Sequence, residues 1–164
     1  VLAEGNPLSC SGVYVERELF LRHRFDEDSG LVGSEDWHCW IRVAAEHLPR
    51  ICPGEGALLV DHSGRSSSVD SWRSAERRFA CLTASLLQDG AACRFLAPNI
   101  GLFRATQAHY VAVKAAGQGH LMASMCRFGR SLRHHPRLLF SRRTVHLVRL
   151  WLRFLRPVRV SESN

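Results

Sequence analysis

Residues 33–42 read GSEDWHCWIR. Glu35 and Asp36 stand side by side directly after Ser34, a residue type that commonly caps a helix. Trp37, Trp40, Ile41, Ala44, Ala45 and Leu48 then recur at helical spacing as far as Pro49. The stretch predicts an amphipathic helix over 35–48 whose first turn carries two carboxylates. Acids in that position are most simply partners of the positive end of the helix dipole. The alternative is that they face a substrate, and the surrounding sequence has to decide.

Upstream, SCSGVYV (9–15) reads as a short strand of small, β-branched and aromatic residues. ERELFLRH (16–23) reads as a short helix, and FDEDSGLVG (25–33) as an acidic loop. Downstream, ALLVDH (57–62) reads as an apolar strand and SGRSSS (63–68) as a polar loop. A second helix is expected from about Asp70 to Gln88, with Trp72, Ala75, Phe79, Leu82 and Leu86 along one side. Residues 90–126 read as further helix, broken near Pro98-Asn99 and Gly117–Gly119. No internal repeat is visible.

The chain has 164 residues, of which 46% are hydrophobic and 23% charged, ordinary values for a folded domain. No apolar run reaches the roughly 20 residues a spanning helix needs. The chain opens on Val1 with no charged segment leading into an apolar one, so it reads as a fragment or processed chain without an export signal. Its six cysteines fit no zinc spacing and are expected as buried free thiols. A cytoplasmic location follows as the expectation.

Charge is unevenly placed. Residues 1–89 carry 9 basic and 14 acidic residues, whereas residues 90–164 carry 13 basic residues and one acid, Glu162. The expected division is therefore an acidic part, 1–89, and a basic helical tail, 90–164, that meets something anionic. From Pro136 to Arg156 the pattern is amphipathic: Arg142, His146, Arg149, Arg153 and Arg156 share one face. Phe140, Leu147, Trp151, Phe154 and Leu155 lie opposite, with Arg143 out of pattern. Such a helix either lies in a membrane interface, with Arg142, Arg149, Trp151, Arg153 and Arg156 as its contacts, or packs on its own domain with a solvated basic face. Nucleic acid would require a recognisable motif or exposed stacking aromatics, and neither is present.

The ordered series VERELFLRHRFDED, GSEDWHCWIRVA and LLVDHSGRSS resembles the second half of the catalytic domain of family 2 glycosyltransferases over roughly residues 6–68. In that family a strand leads into an R-E-L-F helix, a G-F-D-E loop, an S-E-D-W/Y-x-x-W-x-R helix start and a strand ending near a histidine. The resemblance implies an α/β fold, the acceptor-side half of a nucleotide-diphospho-sugar transferase (GT-A-like) domain, followed by the helical tail. It implies an inverting transfer from a nucleotide-diphospho-sugar donor to a sugar or lipid-linked acceptor; if the basic tail does lie in an interface, the expected place is the inner face of the cell membrane. It departs from the family at His23-Arg24, where a glycine usually precedes the Phe-Asp pair.

The chemistry asks for a carboxylate that takes a proton from an acceptor hydroxyl as its oxygen attacks the anomeric carbon. The resemblance assigns that base to Asp36. Glu35 and Trp37 become candidate acceptor-binding residues, although Trp37 and Trp40 suit a core better than a sugar platform. Arg42 reads as a surface or ion-pair residue. His62 is the candidate ligand for the divalent ion, Mg²⁺ or Mn²⁺, that holds the donor diphosphate. One histidine does not make a site for a hard cation, and Asp26 and Asp28 spell Asp-x-Asp in the wrong element. The half that carries the nucleotide and the metal motif is expected elsewhere, so the isolated 164 residues are expected to be inactive. The rival function is a non-enzymatic basic helical module for an anionic membrane surface or a partner.

Overall fold

The computed structural model describes residues 2–8, 10–50, 52 and 70–154. Every regular element among them is a helix: α1 (Arg17–Arg22), α2 (Glu35–Glu46), α3 (Trp72–Gln88), α4 (Gly90–Leu96), α5 (Ile100–Gly117), α6 (Leu121–His134) and α7 (Arg142–Phe154). Short 3₁₀ turns link them. The expected α/β, GT-A-like architecture is thereby overturned for the described residues. Residues 10–12 of the expected first strand form a 3₁₀ turn, and residues 13–16 run without regular structure into α1. A strand needs a lateral partner for its N–H and C=O groups. No partner strand lies beside these residues among the described ones, and the apolar alternation of Val13 and Val15 is instead satisfied by packing on the helical core. The expected strand at 57–62 lies outside the described residues.

The helices expected from apolar spacing are present. In α3, Trp72, Ala75, Phe79, Leu82 and Leu86 are buried, and Ser71 caps the start by accepting the Ser74 N–H. Asp89 ends α3 and starts α4, accepting the Ala91 and Ala92 N–H groups at 3.0 Å each. Arg42 of α2 reaches the same carboxylate at 3.3 Å, so it is an ion-pair residue.

The central element is α5, buried on most sides by small residues and Phe103. It forms an antiparallel pair with α6, turning at Gly119, whose φ of +85° suits glycine. Small residues let the two backbones approach. The Ser124 hydroxyl donates to the Ala112 carbonyl at 2.8 Å, and a Cβ on Gly101 would lie 3.0 Å from the His134 carbonyl oxygen. The main core gathers Trp37, Trp40, Ile41, Leu82, Leu86 and Phe103, while α7 joins a smaller cluster through Leu147, against Ala112, Ala116 and Phe128.

The cysteines are free thiols, as expected, but only Cys39 is buried; Cys10, Cys52, Cys81 and Cys126 are exposed. No helix among the described residues is long and apolar enough to cross a membrane.

Candidate functional site

Asp36 opens into a cleft of about 630 Å³. One wall is the N-terminal segment with Glu4, Gly5 and Asn6, and the start of α2 with Gly33, Ser34, Asp36 and Trp37. Arg78 and Phe79 come from α3, and Thr106, Tyr110 and Val113 from α5. The remaining wall is the first turns of α7, with Arg142, Arg143 and His146. Residues more than a hundred positions apart thus share one depression.

Ser34 occupies the N-cap position of α2, yet its side chain makes no capping bond. Instead the Glu35 carboxylate accepts the N–H of Gly33, whose φ is +87°. That reach backwards from the first turn satisfies a backbone donor ahead of the helix. A Cβ on Gly33 would also come within 3.3 Å of the Arg78 guanidinium. Glu35 therefore shapes the turn that presents Asp36.

The two oxygens of Asp36 are held differently. Oδ2 accepts from Asn6 Nδ2 at 2.9 Å, and Oδ1 accepts from the Trp37 N–H at 2.6 Å. A carboxylate has about four acceptor positions, so each oxygen keeps capacity towards the cleft. Burial pushes the Asp36 carboxyl above its ordinary range and the neighbouring Glu35 charge adds to this, while the bonds from Trp37 and Asn6 oppose it. At this helix start, loss of water outweighs the dipole and the donors.

Trp37 is buried, 5% exposed, and borders the cleft with its backbone anchored inside. Its indole N–H donates to the Leu2 carbonyl at 3.0 Å, and its ring meets Phe79 and Phe103 edge to face. Trp40 is equally buried, with Phe25 edge-on. Asp26 and Asp28 belong to a turn: Asp26 accepts the Asp28 N–H and Asp28 accepts the Gly30 N–H.

Among the cationic groups, Arg78 is paired with Asp70 at 2.6 Å, with both side chains largely buried. Arg143 donates to the Glu4 carbonyl at 2.7 Å, a bond that leaves its charge unneutralised. Arg142 and His146 are exposed and have no ion-pair or hydrogen-bond partner among the described residues. Thr106, on the floor, is 6% exposed and its hydroxyl has no hydrogen-bond partner.

Of the expected membrane contacts, Arg149 and Arg153 are exposed on the outer side of α7. Trp151 faces inward, edge-on to Phe128, and donates its indole N–H to the Ser124 hydroxyl at 2.8 Å. His62 and Arg156 lie outside the described residues. No group of three or more His, Cys, Asp or Glu side chains able to hold a metal occurs among the described residues. The described part therefore does not fit a Mg²⁺ or Mn²⁺ site.

Sequence reading missed Asn6, Tyr110 and Thr106 as parts of the site, and gave Arg142 and His146 to a separate tail. Asn6 precedes a proline and reads only as a turn residue. The available signal was the Arg142-Arg143 pair opening a helix, where positive charge opposes the dipole. A scan against protein-family models finds no match, and searches of the curated proteins and of the solved structures find none either.

Proposed function

We propose that this chain supplies the acceptor side of an inverting glycosyltransferase, with Asp36 as the general base. The reading rests on residues and not on a fold likeness. The observation that carries it is the Asp36 carboxylate, oriented by Asn6 and the Trp37 N–H at the edge of a 630 Å³ cleft. An acceptor hydroxyl donates to Asp36. As its oxygen bonds to the anomeric carbon of a nucleotide-diphospho-sugar, the proton passes to the carboxylate and the nucleoside diphosphate leaves with the electron pair of the broken C–O bond. Attack opposite the leaving group inverts the anomeric centre. The raised affinity of Asp36 for a proton makes it a stronger base than an exposed aspartate. Asn6 fixes the plane of the carboxylate, and Glu35 fixes the turn before it.

The test is Asp36→Asn in the intact protein. Transfer should fall by about 10²–10⁴-fold, the usual share of a general base, while donor binding persists. Transfer at the parent rate would sink the assignment.

A second observation supports contact with an anionic membrane surface. Val145, Val148 and Leu152 of α7 are 51%, 40% and 52% exposed and lie along one stripe. The exposed Arg149 and Arg153 run beside it. An apolar stripe flanked by arginines is the pattern of a helix lying in the headgroup region. The two readings are compatible, because a lipid-linked acceptor is met at that surface. Co-sedimentation with phosphatidylglycerol vesicles should be lost in the Arg149→Glu/Arg153→Glu double variant; retention would remove the membrane reading.

A further inference from the structure

We infer that the Asp36 cleft accepts a phosphorylated acceptor and that Arg142 and His146 hold its phosphoryl group. This rests on the transferase reading for the word acceptor, but the phosphate site itself stands on separate residues.

The argument begins with charge placement. Arg142 and Arg143 are the first two residues of α7, and no acid occupies its first turn. The unpaired N–H groups of a helix start already carry partial positive charge. Two guanidiniums added there repel that charge and each other, an arrangement that weakens the helix. The Ser141 hydroxyl accepts the Thr144 N–H at this helix start, but among the described residues no acid pairs with Arg142 and Arg143 meets only the Glu4 carbonyl, so the repulsion between the two charges is left. An anion in the cleft would relieve it. Of the arginines in the basic half, Arg127 and Arg130 pair with an acid among the described residues, both with Glu76, which Arg127 meets through both oxygens at 3.1 and 2.9 Å. What sets Arg142, Arg143 and His146 apart is that they line the cleft into which Asp36 opens.

The shape of the cleft agrees. At about 630 Å³ it is larger than a lone phosphate requires and suits a sugar-sized group carrying one. Tyr110, from α5, also lines the cleft. Guanidiniums are well matched to phosphoryl oxygens, which they grip in a planar fork. A phosphate gripped by α7 at one wall leaves the hydroxyls of its carrier free to reach the carboxylate at the opposite wall, which is the geometry the base requires. Asp36 itself disfavours an anion close by, so it acts on the neutral, hydroxyl-bearing part of the ligand.

Calorimetric titration of the chain with glucose 1-phosphate and with farnesyl diphosphate tests this. Both carry the phosphoryl group, but only glucose 1-phosphate also offers hydroxyls to Asp36, so it should bind the tighter; tighter binding of farnesyl diphosphate would show a phosphate site that is not an acceptor site and overturn the proposal. At least one should bind saturably. Arg142→Glu, an exposed position, should weaken it about tenfold or more, and His146→Ala should weaken it less. Arg149→Glu, on the same helix but not lining the cleft, should leave it unchanged. Asp36→Asn should bind as tightly or more tightly, because it removes a negative charge from the cleft. Failure of both probes to bind, or equal losses from Arg142→Glu and Arg149→Glu, would overturn the proposal. If Asp36→Asn keeps both binding and transfer, the base assignment fails while the phosphate site stands.

Discussion

The starts of α2 and α7 line the same cleft and carry opposite charge. Glu35 and Asp36 open α2, where carboxylates agree with the helix dipole. Arg142 and Arg143 open α7, where they oppose it. Acids at a helix start are explained by the helix itself, and taken alone they say little about function. Arginines at a helix start are not, so they point to something outside the helix. Of the two clusters, the one that breaks the local rule is the more informative about what the cleft receives.

The helices differ in packing too. The apolar face of α2 is wholly enclosed, with Trp37, Cys39, Trp40 and Ile41 at 5% exposure or less. Among the described residues, α7 buries only Thr144 and Leu147 and leaves an apolar stripe outside. One is a load on the main core; the other is a wall attached to it.

Variants can break or sharpen this contrast. The largest expected effect is the loss of about 10²–10⁴-fold in transfer for Asp36→Asn, set against an unchanged rate for Asp28→Asn, a turn aspartate outside the cleft. Next is Trp37→Ala, which removes a buried ring and the bond to the Leu2 carbonyl. It should destabilise the fold by about 3–5 kcal/mol, read from denaturant midpoints. Leu147→Ala empties a position in the smaller cluster of α7 and should cost about 2–3 kcal/mol. A Leu147 loss equal to that of Trp37 would show that α7 is as integral to the core as α2.

Smaller effects come from two aspartates with opposite linkage. Asp89 is held below the ordinary carboxylate range, first by the Ala92 N–H, then by the Ala91 N–H and by Arg42, against the effect of burial. Its contribution is present above the unfolded value of about 3.9 and is lost as pH falls through the depressed folded value. Asp89→Ala should cost about 1 kcal/mol at neutral pH through loss of the α4 cap, and the difference from the parent should shrink in acid melts. Asp36 is raised, so the folded state holds its proton more tightly than the unfolded chain. Ionisation then weakens the fold. That penalty is absent below the unfolded value and is complete once pH has risen through the folded one. Asp36→Asn should therefore raise Tm slightly at neutral pH and leave it unchanged near about pH 3. A residue whose removal stabilises the fold while abolishing turnover is kept for chemistry.

Much of the helical order was legible from spacing. The one-sided apolar series in 35–48 and 70–88, the breaks at Pro98-Asn99 and Gly117–Gly119 and the amphipathic tail all correspond to helices or their ends. Period and punctuation are local properties, and a helix satisfies its backbone locally. The expected strand at 9–15 failed because strand formation depends on a partner that no local pattern supplies. Exposure of the cysteines was likewise invisible, since residue type alone does not say which side of a helix meets the core.

By itself, then, the sequence determined where the helices run, which faces are apolar, that two carboxylates begin α2, and that acids are missing between Asp89 and Glu162. Each of these is a matter of spacing and composition within a few turns of chain. Only the tertiary structure decided that Asn6 holds Asp36, that burial outweighs the dipole at that carboxylate, that Trp151 turns inward, and that the arginines opening α7 share a cleft with the acids opening α2. Those facts depend on segments up to 140 residues apart packing around α5, and long-range packing is what a one-dimensional pattern leaves open.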